Sequence, residues 1–315
     1  MSIIFGPIPS RRLGRSLGIN NIPPKICSYS CVYCQIGVTD SMSIKRKNYY
    51  LLDEVFKEVS EKVKQLKSAG EKIDYLTFVP DGEPTLDINL GKEIDLLKPL
   101  GVKIAVITNS SLLWDENVRN DLMNADWVSV KIDTVDEKLW HKIDRPNGKL
   151  DLQKIITGIK TFASAFKGTL VTETMLVKGI NDDTESIQKT AEIISQIKPE
   201  KSFILVPTRP PAEKFVEPPS EEILNIAYQI FCTLLSDVEL LISNEGTNFS
   251  YSSNAEKELL SILAVHPMRK DAIETFINKA NSKWDLIEKL INKSVLKEVK
   301  YSGSTFFVKN IKAKV

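Results

Sequence analysis

From residue 16 to residue 242, short β-rich apolar runs alternate with longer stretches of helical period. The runs fall at 16–19, 75–79, 103–108, 127–132, 169–177, 202–206 and 238–242. Between the first two, 53–67 places Val55, Phe56, Val59, Val63 and Leu66 on one stripe, the spacing of an amphipathic helix. The stretches 152–166, 185–197 and 221–235 follow the same period, the last with Ser220 as its N-cap. Repeated strand–helix units predict a parallel sheet covered by helices. About six of them predict an α/β fold, a partial (β/α)6 TIM-like barrel whose chemistry gathers at the C-terminal strand ends.

Past residue 242 the rhythm changes. The turn-rich segment 244–254 is expected to be a linker. Helical periods follow at 255–265, 269–278 and 283–293, then β-rich runs at 294–299 and 305–308 around a turn at Gly303. Three helices and a hairpin predict a small winged helix-turn-helix, with Trp284, Leu286, Ile287, Leu290 and Ile291 in its core. The expected domains are therefore 1–243 and 255–315, joined by 244–254.

Charge sharpens this division. The whole chain carries 42 Lys and Arg against 41 Asp and Glu, a net of +1, which excludes a strong general attraction to nucleic acid or acidic membrane. Residues 256–315 alone hold 12 basic and 7 acidic residues, so a mildly basic piece follows an acidic body. Lys283, Lys289, Lys293 and the Gly303 wing are candidate contacts to RNA, DNA or a protein; packing against the barrel is the competing role. No apolar run approaches the roughly 20 residues of a membrane span. No signal peptide is legible in residues 1–15, so the expectation is a cytoplasmic protein without a membrane partner.

Three of the four cysteines fall within eight positions, as Cys27-Ser-Tyr-Ser-Cys31-Val-Tyr33-Cys34. A disulfide framework would spread them, and a reducing compartment points to metal instead. Three thiolates at C-x3-C-x2-C spacing can ligate three irons of a [4Fe–4S] cluster and leave the fourth open. Structural zinc wants four ligands, and the only histidines, His141 and His266, are distant in sequence. The fourth cysteine, Cys232, sits in an apolar helical stretch and is expected to be buried and inert.

With aromatic Tyr33 just before the last cysteine, this triplet resembles the signature of the radical SAM superfamily. The turn Asp81-Gly82-Glu83-Pro84, after the second β-run, resembles that family's Gly-Gly-Glu-Pro element, with Asp81 in place of the first glycine. The resemblance implies that the cluster's open iron binds S-adenosylmethionine (SAM), and that reduction releases a 5′-deoxyadenosyl radical. It also implies that Asp81, Gly82 and Glu83 face the SAM ammonium group. Lys131 and Asp133, at the end of the fourth run, would contact ribose and carboxylate, with Asn109 and Glu173 nearby. The segment 177–182 resembles an element near adenine.

The paired Arg11 and Arg12, before the first run, and Arg209, after the sixth, are candidate substrate contacts through bidentate hydrogen bonds. Ties to acidic neighbours are their alternative. The N-terminal segment, the triplet, the Asp-Gly-Glu-Pro turn and Arg209-Pro-Pro together resemble the branch of archaeal and bacterial Fe–S oxidoreductases distantly related to the tRNA wybutosine-synthesis enzyme. That resemblance implies an enzyme reduced by flavodoxin or ferredoxin. The added winged helix points to tRNA or a polypeptide as substrate. An Fe–S regulator that binds DNA, or a factor that matures a partner enzyme, is the alternative.

Overall fold

The computed structural model describes residues 3–242, 249 and 254–310. Two strands, β1 (Ile4–Ser10) and β2 (Gly14–Ile19), form an antiparallel hairpin at the start. A loop carrying the two-residue strands β3 (Ile26–Cys27) and β4 (Ser41–Met42) leads to α1 (Leu52–Ser68). Strand–helix units then follow as β5 (Tyr75–Phe78), α2 (Leu90–Leu97), β6 (Lys103–Thr108), α3 (Glu116–Leu122), β7 (Trp127–Lys131), α4 (Glu137–Ile143) and α5 (Leu152–Ala165). The series closes with β8 (Thr169–Met175), α6 (Thr184–Ile197), β9 (Lys201–Leu205), α7 (Glu221–Leu234) and β10 (Val238–Leu241).

The sheet order is β1-β2-β5-β6-β7-β8-β9-β10, parallel from β2 onward. Among the described residues no strand joins β10 to β1, so the barrel stays open. The helices face the sheet with the expected stripes: Val55, Val59, Val63 and Leu66 of α1 are buried, while Phe56 is only half-buried. Each such buried side chain contributes about 2 kcal/mol.

Strand β1 is absent from the sequence reading because Pro7 and Pro9 interrupt it. Proline is confined to edge strands, where its missing N–H costs no ladder bond, and β1 is an edge strand. The hairpin turn lies at the N-terminal end of β2, the end opposite the cysteine loop. From this turn Arg11 Nη1 donates to Leu241 O at 2.8 Å, Arg12 pairs with Glu173 inside the barrel, and Leu13 packs with Trp127, Phe203 and Leu241. The turn thus ties the first side of the open sheet to the last. Arg11 and Arg12, the candidate substrate contacts, thus both have partners within the protein: Arg11 on the last residue of β10, and Arg12 on Glu173, which pairs with the last residue of β7.

The C-terminal elements are α8 (Ala255–Val265), β11 (Met268–Arg269), α9 (Lys270–Lys279), α10 (Asp285–Asn292), β12 (Leu296–Tyr301) and β13 (Ser304–Lys309). Their three strands form a separate antiparallel sheet in the order β11-β13-β12, over a core that includes Leu259, Ile273, Phe276, Ile287, Leu290 and Phe307. Trp284, Leu286 and Ile291 are partly buried at its margin. This unit packs on the barrel: Ile8 of β1 joins its core, Lys62 meets Glu258 at 3.3 Å, and Tyr301 Oη donates to Pro207 O at 3.1 Å. Of the expected linker, only Phe249 and Asn254 are described, and the rest lies outside the described residues. Asn254 caps α8 by accepting from Lys257 N at 2.8 Å.

Cys232 is exposed, contrary to expectation. Helix α7 packs through Leu224, Ala227 and Phe231, and Cys232 falls one residue off that stripe. No helix among the described residues is long and apolar enough to cross a membrane.

Candidate active site

The cysteine loop leaves β2 at the C-terminal end of the sheet and is pinned on two sides. Toward α4, Ser30 N donates to Asp144 O at 3.0 Å and Val32 N to Ile143 O at 2.9 Å. Toward the 81–84 turn, Lys25 N donates to Asp81 O at 2.6 Å and Glu83 N to Ile26 O at 3.2 Å. Gly82 is required there, because a Cβ at that position would stand 2.0 Å from Ile26 O.

Cys27, Cys31 and Cys34 come together in this loop, each half-buried. Burial pushes the Cys27 thiol up to about 12, with Glu83 and Cys34 adding repulsion. Cys31 is pushed well up and Cys34 up, in each case chiefly by burial. Asn109 Nδ2 lies 3.5 Å from Cys27 Sγ and donates to Ser28 Oγ at 2.9 Å.

Glu83 is buried and closely held. Its Oε1 accepts from Thr85 N at 3.1 Å, Thr85 Oγ1 at 2.6 Å and Thr108 Oγ1 at 2.6 Å, and its Oε2 accepts from Asn109 N at 2.7 Å. Burial still leaves its carboxyl above the usual range. Because Oε1 takes three of the four donors, Oε2 retains acceptor capacity. Asp81 is 3% exposed, and its Oδ1 has no hydrogen-bond partner. Burial raises its carboxyl to about 7, offset by Lys309 and Lys25.

A second buried group joins the cysteine loop to the neighbouring strand ends. Tyr33 Oη meets Asp133 Oδ2 closely and Asp144 Oδ1 at 3.2 Å, while Cys31 Sγ donates to Asp144 Oδ1 at 3.3 Å. Lys131 Nζ sits 4.9 Å from the centre of the Tyr33 ring, in the range of a cation–π contact. Burial works against the Lys131 ammonium, but Asp133 and Glu173 outweigh it and hold the amine above its ordinary value. Asn181 donates to Asp133 O at 2.7 Å and Met175 O at 2.9 Å, so it braces the two strand ends.

The model of the radical SAM superfamily matches residues 21–191, more than half of the chain. The chain belongs to the radical SAM superfamily. A UPF0026 protein of Methanocaldococcus jannaschii is 48% identical over 316 residues, covering 100% of this chain and 98% of that protein. The chain is therefore also a member of the UPF0026 family. A protein named GTPase Obg in Brachyspira hyodysenteriae is 32% identical over 98% of this chain, which spans 45% of that protein. A radical SAM methyltransferase from Sphaerobacter thermophilus superposes with a TM-score of 0.56 at 14% identity, over 73% of this chain and 67% of that one, a likeness of fold.

The cofactors of this radical SAM protein are a [4Fe–4S] cluster and SAM. The residues present suit them. Three cysteines of one loop whose charges act on one another could each bind a separate iron of a cubane. Burial disfavours the ionised forms of all three thiols, with Lys131 opposing it only in part at Cys34, and the cluster irons would supply the cation that thiolates need. The unpartnered Asp81 oxygen is a buried acceptor close enough to Cys34 for its charge to act on that thiol.

Of the residues singled out from sequence, Tyr33, Asp81, Gly82, Glu83, Asn109, Lys131 and Asp133 gather around the thiols. Glu173 lies deeper in the barrel, bonded to Ser129 Oγ at 2.6 Å and paired with Arg12. Arg209 reaches Gln35 Oε1, one residue past Cys34, so it stands at the C-terminal end as expected. Asp144 was missed. It follows α4 rather than a strand, and a strand-end search passes over it.

Proposed function

We propose that this chain is an enzyme that reductively cleaves SAM and uses the resulting 5′-deoxyadenosyl radical to modify a macromolecular substrate. The observation that carries the reading is the convergence of three half-buried cysteines with the Glu83–Asn109 pair at one end of the sheet. When bound, the cluster and SAM supply an electron route and a radical that takes a hydrogen atom from the substrate. Glu83 Oε2 and Asp81 Oδ1 offer acceptors for an ammonium group, a charge-assisted contact that orients as well as binds. Asp133 and Lys131 offer one acceptor and one donor for hydroxyls and a carboxylate. None of these groups is assigned a proton transfer; their role is to position.

The substrate reading rests on the C-terminal unit. It reaches the barrel's catalytic end through Tyr301 at Pro207 and through Lys309, whose charge acts on Asp81. In this reading the unit is a winged helix that presents tRNA or a polypeptide to the mouth, where Arg209 adds a cation. The electron donor is a flavodoxin or ferredoxin, and the protein works in the cytoplasm.

The test is anaerobic. Protein reconstituted with iron and sulfide receives SAM and dithionite, and 5′-deoxyadenosine is assayed by mass spectrometry. Wild type should yield it and Cys34→Ala should not. A loaded wild-type cluster that yields none, even with cell extract as substrate, would sink the enzyme reading and leave a regulator or maturation factor.

A further inference from the structure

Beside the 81–84 turn lies a group of buried oxygens that the SAM chemistry does not use. Asn21, Asp87 and Glu93 are each 0% exposed, and Asn21 Oδ1, Asp87 Oδ2 and both Glu93 carboxylate oxygens have no hydrogen-bond partner. They belong together: the Asp87 charge acts on Glu93, and the Asn21 amide stands near enough to Glu93 to favour its ionised form without completing a hydrogen bond. An unmade bond of this kind costs about 1–3 kcal/mol per buried atom, and more for a charge. Four together call for a ligand.

The nearby donors are already spent. Asn21 Nδ2 donates to Pro84 O at 3.1 Å, and Asn89 N donates to the other Asp87 oxygen at 2.8 Å. Arg46 is the cation facing Asp87, but its Nε serves Thr85 O at 3.0 Å, and its Nη2 serves Asp87 O at 2.8 Å and Asp121 Oδ2. Arg46 pairs with Asp121 and its charge also favours ionised Asp87, so one cation is shared among three carboxylates and none of its donors reaches Asp87 Oδ2 or Glu93. Burial, reinforced by Asp87, does raise the Glu93 carboxyl to about 9, which invites a neutral acid as the answer. A single proton, however, makes only one O–H···O bond, so it satisfies two of the four oxygens and leaves two.

We propose that Asn21, Asp87 and Glu93 bind a hard divalent cation, calcium or magnesium, which braces the turn that carries Glu83. The donor set is all oxygen, with two carboxylates and one amide carbonyl, the chemistry such ions select. Thiolate-seeking metals are disfavoured by the same set. Asn21 links this site to the active site, since it holds Pro84 O directly beside Glu83. The cation takes no part in SAM cleavage and does not depend on the identity of the substrate.

The experiment uses the full-length, cluster-loaded protein, stripped with chelator and titrated anaerobically with calcium chloride and with magnesium chloride by calorimetry. One equivalent of one of these ions should bind and raise the melting temperature. Asp87→Asn and Glu93→Gln, which keep the side-chain shape, should each weaken binding at least about tenfold, and Asn21→Asp should strengthen it by adding a ligand charge. The order of affinities for the two ions identifies the occupant. No binding at millimolar ion by wild type, or binding that both neutral variants retain, overturns the proposal in favour of a water-filled or protonated cavity. Both outcomes are read without any SAM turnover, so they stand apart from the test of the enzyme reading.

Discussion

At the scale of single residues, two positions show how much hangs on one group. Gly82 has no room for a methyl, with Ile26 O at 2.0 Å and Ile22 Cδ1 at 2.9 Å from a built Cβ. Gly82→Ala should push the turn off the cysteine loop, cost about 2 kcal/mol, and lower the iron retained after reconstitution. Iron and sulfide assays on the folded variant check it, and unchanged loading would show the contact to be dispensable. Arg12 and Glu173 form the second case. Burial alone would raise the Glu173 carboxyl, but Arg12 and then Lys131 outweigh it and hold it below its ordinary value of 4.5. Stability from this pair is therefore present above pH 4.5 and lost as pH falls through the lower folded value. Arg12→Met leaves Glu173 short of its main partner and should cost about 3 kcal/mol at neutral pH, with the loss shrinking in acid. Denaturant unfolding at both pH values measures it.

Among the elements, the long amphipathic helices were the most legible, because a stripe of apolar residues at helical spacing has few other ways to be buried. Helix α6 shows the local signals working together: Asp183 accepts from Ser186 N at 2.9 Å at its start, and Ile187, Ala191 and Ile194 face inward. Asp183→Ala should remove the cap and cost about 1 kcal/mol, visible as a lower melting temperature with the fold retained. Short helices were harder to read. Helices α3 and α4 have seven residues each, too few for a period to stand out, although Asp115 and Asp136 cap them. Strand β1 was hidden for the opposite reason, since its two prolines argue against a strand everywhere except at an edge.

Over the whole molecule, the C-terminal unit closes around the barrel rather than hanging from it. Ile8 of β1 is packed against the C-terminal core, and Lys279 reaches Glu71 at 3.1 Å beyond the end of α1. The full chain should therefore unfold in one calorimetric transition, with the calorimetric and van't Hoff enthalpies equal. Two resolved transitions would instead show that the units fold independently.

The sequence alone carried the strand–helix alternation, the order of the C-terminal elements, the three thiols and the turn at residues 81–84. Each of these is written in local spacing: a period of 3.6, a run of β-branched residues, or three cysteines within eight positions. Pairing across long stretches of chain could not be read this way. Arg11 and Arg12 carry the right chemistry for substrate contact, yet their partners in the fold, Leu241 O and Glu173, lie 230 and more than 150 residues along the chain. Asp144 reaches Cys31 from 113 residues away, and Glu93 meets Asn21 across the whole of α1. Such partners are set by which surfaces the folded chain buries against each other, and a charge declares its role only when burial removes its water.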